Sequence, residues 1–192
     1  MWRTIALTIL GSLTACLAAP AVAADGEAPA CQAALDLILG AVGHGKRAVA
    51  LVVGSSPDAA ETAPYSAETM AEADWTGPAP PAELLNTLLT QTPVSVFDSC
   101  PNLAAELGRE HIASGDDAVA RITAADPGID TLPTYPATIF TLSLPVIQGG
   151  DALVQDRMCT GPNSCLGAIV HLQKDAKSGR WKPVNRLLSL AS

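Results

Sequence analysis

Apolar and polar residues alternate along this chain in different rhythms, and each rhythm predicts a different element. Between Pro29 and Val42 the apolar positions Ala33, Ala34, Leu35, Leu37, Ile38 and Leu39 give a helix with a broad apolar surface, ended by Gly40 to Gly45. Ala48 to Val53 is a short continuous apolar run between Lys46-Arg47 and Gly54-Ser55-Ser56-Pro57, the pattern of a strand buried on both faces. From about 55 to 81 the chain is acidic and holds Pro64, Pro78, Pro80 and Pro81 with few apolar anchors, which predicts a long surface loop. Helical patterning returns at Ala82 to Leu89, in a short piece at Asn102 to Leu107, and in one or two turns at Asp116 to Ala125.

The last third changes to a period of two. Phe140, Leu142 and Leu144 share one face and Ile139, Thr141 and Ser143 the other, and Gly149-Gly150-Asp151 turns the chain into Ala152 to Met158. Leu166, Ala168, Val170 and Leu172 then alternate through Leu166 to Gln173. Asp175 to Gly179 forms a turn into Arg180 to Leu190, where Pro183 marks an edge strand or a bulge. The fold class is therefore α+β: N-terminal helices and one buried strand packed with a C-terminal antiparallel meander of three or four strands. No internal repeat is present.

Residues 1–23 have the composition of a bacterial signal peptide. Arg3 gives a positive start, Ile5 to Leu10 a short apolar stretch, and Ala21-Val22-Ala23 an A-x-A cleavage signal. The stretch is broken by Thr8, Gly11, Ser12 and Thr14, whereas a membrane-spanning helix needs roughly 20 mostly apolar residues. Leu13-Thr14-Ala15-Cys16 resembles a lipoprotein lipobox, so possible lipidation at Cys16 is the alternative to cleavage near Ala23. The expectation is a periplasmic or secreted protein with a single domain at 24–192, tethered to a membrane only if Cys16 is lipidated.

Loss of Arg3 leaves ten basic residues against nineteen acidic ones, and this balance argues against binding nucleic acid or anionic lipid. The charge is uneven: Lys174, Lys177, Arg180, Lys182 and Arg186 face a single Asp175 near the C-terminus. After cleavage Cys31, Cys100, Cys159 and Cys165 remain, an even number expected to form two disulfides in an oxidising compartment. Three pairings exist. The turn chemistry of Thr160-Gly161-Pro162-Asn163-Ser164 favours Cys159 with Cys165, leaving Cys31 with Cys100. Neither C-x5-C nor three scattered histidines has zinc-ligand spacing, so no metal and no cofactor are expected.

The order Tyr135-Pro136, Leu142-Ser143, Gly150-Asp151-Ala152-Leu153-Val154, Cys159, Cys165-Leu166-Gly167, Leu172 and Gly179-Arg180-Trp181-Lys182 resembles a widespread group of uncharacterised secreted bacterial proteins. In that group a strand carrying "ALV" leads to a Cys/Gly-rich loop and a "GkW" hairpin. The resemblance extends weakly to the helix near Leu35 and the Val49 to Val53 strand. This chain departs from it with Pro162-Asn163-Ser164 where glycines are usual, and it lacks a second Trp near its end. The shared motifs are structural, so the resemblance implies turns, a loop bridge and a packing Trp, and no activity.

Catalytic patterns are weak. Gly54-Ser55-Ser56-Pro57 lacks the second glycine of a hydrolase elbow and meets proline in place of a helix. Gly43-His44-Gly45-Lys46 precedes a strand, unlike a phosphate loop. Arg109-Glu110-His111 with Asp116-Asp117 is the one clustering of titratable groups, and it reads first as a surface cluster. His171 reads as a satisfied sheet residue, and Trp75 as a loop anchor or a residue facing a ligand. No catalytic residue is assigned. The sequence supports an exported protein of unknown function, a non-catalytic binding or cell-envelope accessory domain with unknown partners, with an extracytoplasmic hydrolase as the alternative.

Overall fold

The computed structural model describes residues 27–43, 51–55, 66–92, 94–124, 136–162 and 164–189. The leader at 1–23, Cys16, His44 and Tyr135 lie outside them. Helix α1 (Glu27–Gly43) carries Pro29 in its first turn, where a missing N–H breaks no helical hydrogen bond. Strand β1 (Leu51–Ser55) runs through Gly54 and Ser55, which the apolar run alone places in a bounding loop. Gly54 belongs in the strand for a packing reason: a Cβ there would lie 2.9 Å from Val119 Cγ2 and 3.1 Å from Thr141 Cγ2.

Residues 66 to 81 are more structured than an acidic, proline-rich composition predicts. Ser66 caps α2 (Ala67–Ala71) by accepting a hydrogen bond from the Thr69 amide, and Met70 is buried. Helix α3 (Ala82–Thr90) buries Leu84, Leu85 and Leu88 along one stripe. The short α4 (Val96–Ser99), capped by Ser95, precedes α5 (Leu103–Arg109), the two-residue β2 (Ala113–Ser114) and α6 (Asp116–Thr123). Strands β3 (Thr138–Leu142), β4 (Val146–Gln148), β5 (Asp151–Gly161), β6 (Ser164–Lys174) and β7 (Trp181–Ser189) follow.

All seven strands join one mixed sheet of order β2-β1-β3-β5-β6-β7, with β4 also on β5. β1 runs parallel to both β2 and β3, while the rest form the antiparallel meander. β3 and β4 lie along the same side of β5, interrupted at Leu144-Pro145, where proline has no N–H for the ladder. Pro183 lies on edge strand β7 beside a register shift, as its position predicts.

The alternation sorts the side chains onto two faces of the sheet. Phe140, Leu142, Ala152, Val154, Ala168, Val170, Leu172 and Trp181 pack against α1, α4 and α5. On the opposite face Leu153 and Ile169 meet α2 and α3, and Val52 meets α6. The α+β architecture is thus a mixed sheet with helices on both faces.

Two disulfides close between Cys31 and Cys100 and between Cys159 and Cys165. The first spans 69 residues and ties α1 to the end of α4; the second joins directly opposed residues of β5 and β6. In the chain-entropy account the long bridge contributes about 4 kcal/mol and the short one about 2. Replacing Cys31 and Cys100 together by Ser is therefore expected to lower the Tm by about twice as much as the same replacement at Cys159 and Cys165. Equal losses in thermal melts would contradict this ranking.

Candidate functional site

Asp36 stands in the middle of the apolar face of α1 and is 5 % exposed. A buried carboxylate is tolerable only when its lone pairs are satisfied. Oδ1 accepts from Gln32 Nε2 at 3.1 Å and from Arg180 Nε and Nη2, both at 3.0 Å. Oδ2 accepts from the Trp181 backbone N–H at 2.8 Å. These bonds fasten the helix to the start of β7. The turn before it is set by Asp175, whose carboxylate accepts from the Lys177 and Ser178 amides and from Lys182 Nζ. These donors, Lys182 first, hold the Asp175 carboxyl below the usual carboxylate range. Gly179 closes the turn at φ 68°, where a side chain would be strained.

Past Asp36 the helix and the hairpin diverge, leaving an open groove of about 760 Å³. Leu39, Gly40, Val42 and Gly43 form its helix wall and Arg180 to Pro183 its strand wall. The third side is Glu110 and Ile112. Those two residues are positioned by the end of α5: His111 has φ 61°, its N–H bonds to the Gly108 carbonyl, and the Ile112 N–H reaches back to the Leu107 carbonyl. This is a Schellman cap with histidine in the left-handed position usually taken by glycine, and Leu107 and Ile112 pack together in the core as the motif requires. A smaller concavity of about 370 Å³ lies beside the Cys31–Cys100 bridge, between Ala28, Gln32, Asn102 and Glu106.

The remaining sequence candidates are dispersed. His111 is exposed, and no hydrogen bond or ion pair joins it to Asp116 or Asp117, which occupy the first turn of α6 where the helix dipole favours acids. Arg109 pairs with Glu106 at 3.7 Å on the surface of α5. His171 is buried, with Nε2 2.8 Å from Asp151 Oδ1, and among the described residues no hydroxyl or thiol hydrogen-bonds its Nδ1. Asp151 also accepts from Gln173 at 3.0 Å. Trp75 anchors its loop: its indole N–H donates to the Met70 carbonyl at 2.7 Å and its ring packs against the α2–α3 core. Among the described residues no three His, Cys, Asp or Glu side chains are grouped to hold a metal ion.

Sequence reasoning named Arg180 in the basic C-terminal run but not its pairing with Asp36, and it did not pick out Asp36 or the groove. It also missed Asp156, buried on β5 with Arg186 Nη2 at 3.2 Å. Burial pushes its carboxyl up to about 6 from the ordinary 3.8, with the Arg186 guanidinium acting in the opposite direction. A raised acid favours folding below the unfolded value, and that contribution is lost as pH rises from about 4 to about 6. Its size is about 2–3 kcal/mol. Asp156→Asn is expected to abolish this part of the pH dependence, so that its Tm relative to wild type rises between pH 4 and pH 6.5 and then levels off; a constant difference would refute the assignment. At the α5 cap, His111→Gly is expected to stabilise by about 1 kcal/mol by relieving the left-handed strain, measured in urea titrations.

No family model, curated protein or solved structure matches the chain, so the groove and its residues are interpreted from their own chemistry.

Proposed function

We propose that the mature chain works outside the cytoplasm as a non-catalytic binding domain, with the groove between α1 and β7 as its binding surface. The observation that carries this reading is the groove itself: a concavity of about 760 Å³ with apolar and charged walls, bordered by the ion pair between the buried Asp36 and the exposed Arg180. Pockets of roughly 300–1,000 Å³ with apolar lining and a few polar groups are typical of ligand sites. The two disulfides and the A-x-A leader support an oxidising compartment. No helix among the described residues is long and apolar enough to cross a membrane.

The hydrolase alternative has less support, because among the described residues the His171–Asp151 pair has no nucleophile hydrogen-bonded to the other ring nitrogen. A periplasmic or secreted domain beginning near Ala24 is favoured over one tethered through a lipidated Cys16.

Two measurements test the reading. Intact mass of the protein recovered from a bacterial host is expected to correspond to a chain starting near Ala24 with two disulfides; a lipidated Cys16 at the N-terminus would replace the free form with a tethered one. A photo-crosslinking residue at Val42, on the groove wall, is expected to give a discrete adduct in cells, whereas the same residue at Ser178, in the exposed turn, is expected to give none. Absence of any adduct from Val42, Lys182 and Pro183 would remove the groove as the binding surface.

A further inference from the structure

We propose that the Cys159–Cys165 bridge is a thiol–disulfide exchange site, reduced and reoxidised through a thiol donor while the domain stays folded, and that Cys31–Cys100 is the permanent staple. The site sits at the tip of the β5–β6 hairpin, beyond the Gly167–Ser189 pair that ends the contact with β7. The groove borders the other end of β7, at Trp181 to Pro183, so the proposal is independent of what the groove binds.

The two bridges differ in access. Cys159 and Cys165 are both partly exposed, and their hairpin outruns its neighbours: β3 ends its pairing at Cys159 and β7 at Gly167. Exchange begins when a thiolate reaches one sulfur of the bond, so exposure governs it. Cys100, by contrast, is 2 % exposed and belongs to the core on the α1 side, with Cys31 packed against that core.

They differ again in what holds their partners together. On one side of the Cys159–Cys165 pair the ladder sets Met158 opposite Leu166 and Arg157 opposite Gly167. On the other it sets Gly161 opposite Ser164, and the Thr160 and Ser164 hydroxyls share a hydrogen bond at 3.0 Å. The strands are thus paired on both sides of the cysteines, whose Cα atoms lie 4.1 Å apart. Breaking the S–S bond leaves two thiols still opposed and able to re-form it. Loss of Cys31–Cys100 instead releases α1 from the end of α4 across a separation of 69 residues.

The tip also suits the reduced form. From Arg157 to Gly167 the sole charged residue is Arg157, and alternation puts it on the same face as Cys159. A nearby cation favours a thiolate. The Gly161 carbonyl lies 3.9 Å from Cys165 Sγ, placed to accept from the thiol that reduction creates. Features that stabilise the dithiol make a disulfide a better electron acceptor. In the reaction a donor thiolate attacks Cys165 Sγ and forms a new S–S bond there. The Cys159–Cys165 bond breaks, and Cys159 leaves as the thiolate. A second donor thiolate then attacks the donor sulfur of this mixed disulfide and releases Cys165. Two donor thiols are oxidised to one disulfide, two electrons pass to the protein, and the two thiol protons end on Cys159 and Cys165.

The test uses the full chain, processed and purified from the periplasm with both bridges formed, in buffers that span a series of reduced to oxidised glutathione ratios. Samples are quenched in acid, free thiols are alkylated, and the modified cysteines are located by peptide mass mapping while circular dichroism follows the fold. Cys159 and Cys165 are expected to pass reversibly between disulfide and dithiol across the series. Their alkylation is expected to be about tenfold faster than that of Cys31 and Cys100, with an unchanged dichroism spectrum. A return to oxidised glutathione is expected to restore the same pairing. A Cys159–Cys165 bridge that stays closed at every glutathione ratio would behave as a structural disulfide and would overturn the proposal. Equal reduction of the two bridges, or reduction that appears only as the fold is lost, would overturn it as well.

Discussion

The carboxylate of Asp36 is the constraint on which the relation of helix to sheet depends. An aspartate in the apolar stripe of α1 has to reach donors for both of its oxygens or leave that helix undocked. It does so by taking the Arg180 side chain and the Trp181 amide from a segment 144 and 145 residues away. Apolar packing alone tolerates sliding and rotation, since Ala33, Ala34, Leu37 and Ile38 would meet a sheet of Val and Leu in several registers. A carboxylate with donors on both oxygens has one. The ion pair therefore contributes direction more than net stability, because desolvation offsets much of its attraction.

The disulfide and the ion pair act on successive parts of the same helix. Cys31 holds the N-terminal half to the end of α4, and Asp36 holds the middle to β7. Neither reaches the last turn, where Gly40 and Gly43 carry no side chain to pack. The groove opens where the fastening stops, and its third side is fixed by the Schellman cap of α5, which aims Ile112 back into the core. Its shape follows from three local motifs of different chemistry rather than from a mobile loop.

Elements with strong periodicity were legible in the sequence. The alternation read through 139–144 and 166–173 assigned the correct faces to strands observed at 138–142 and 164–174, because a strand has only two. The pairing of Cys159 with Cys165 followed from turn residues between apolar segments. Helix α2 was not legible: Met70 and Trp75 are the large apolar anchors of residues 66–81, with the small Ala67 and Ala71 beside them, and a composition of acids and prolines conceals these contacts. Helix α4 has four residues, too few for a period to register. The groove was hidden for a different reason. The sole local trace of Asp36 is a charge between Leu35 and Leu37, and its partners lie at the other end of the chain. Tertiary partners of that separation have no signature in a single sequence.

The edge of the sheet decides which kind of recognition remains open. β7 is an edge strand, and an unprotected edge invites another chain to pair with it. Here the middle of the edge is occupied: the Thr76 N–H donates to the Arg186 carbonyl, the Arg186 N–H returns to Thr76 Oγ1, and Asn185 donates to the Pro78 carbonyl. At the start of the strand Pro183 offers no N–H, and Lys182 adds a charge. Lateral strand addition is thereby obstructed along the half of β7 that borders the groove. This side of the molecule presents the helix wall and the exposed Arg180 instead of a free ladder. The same residues that close the edge of the sheet leave the groove, and not a free ladder, as the concave surface on this side.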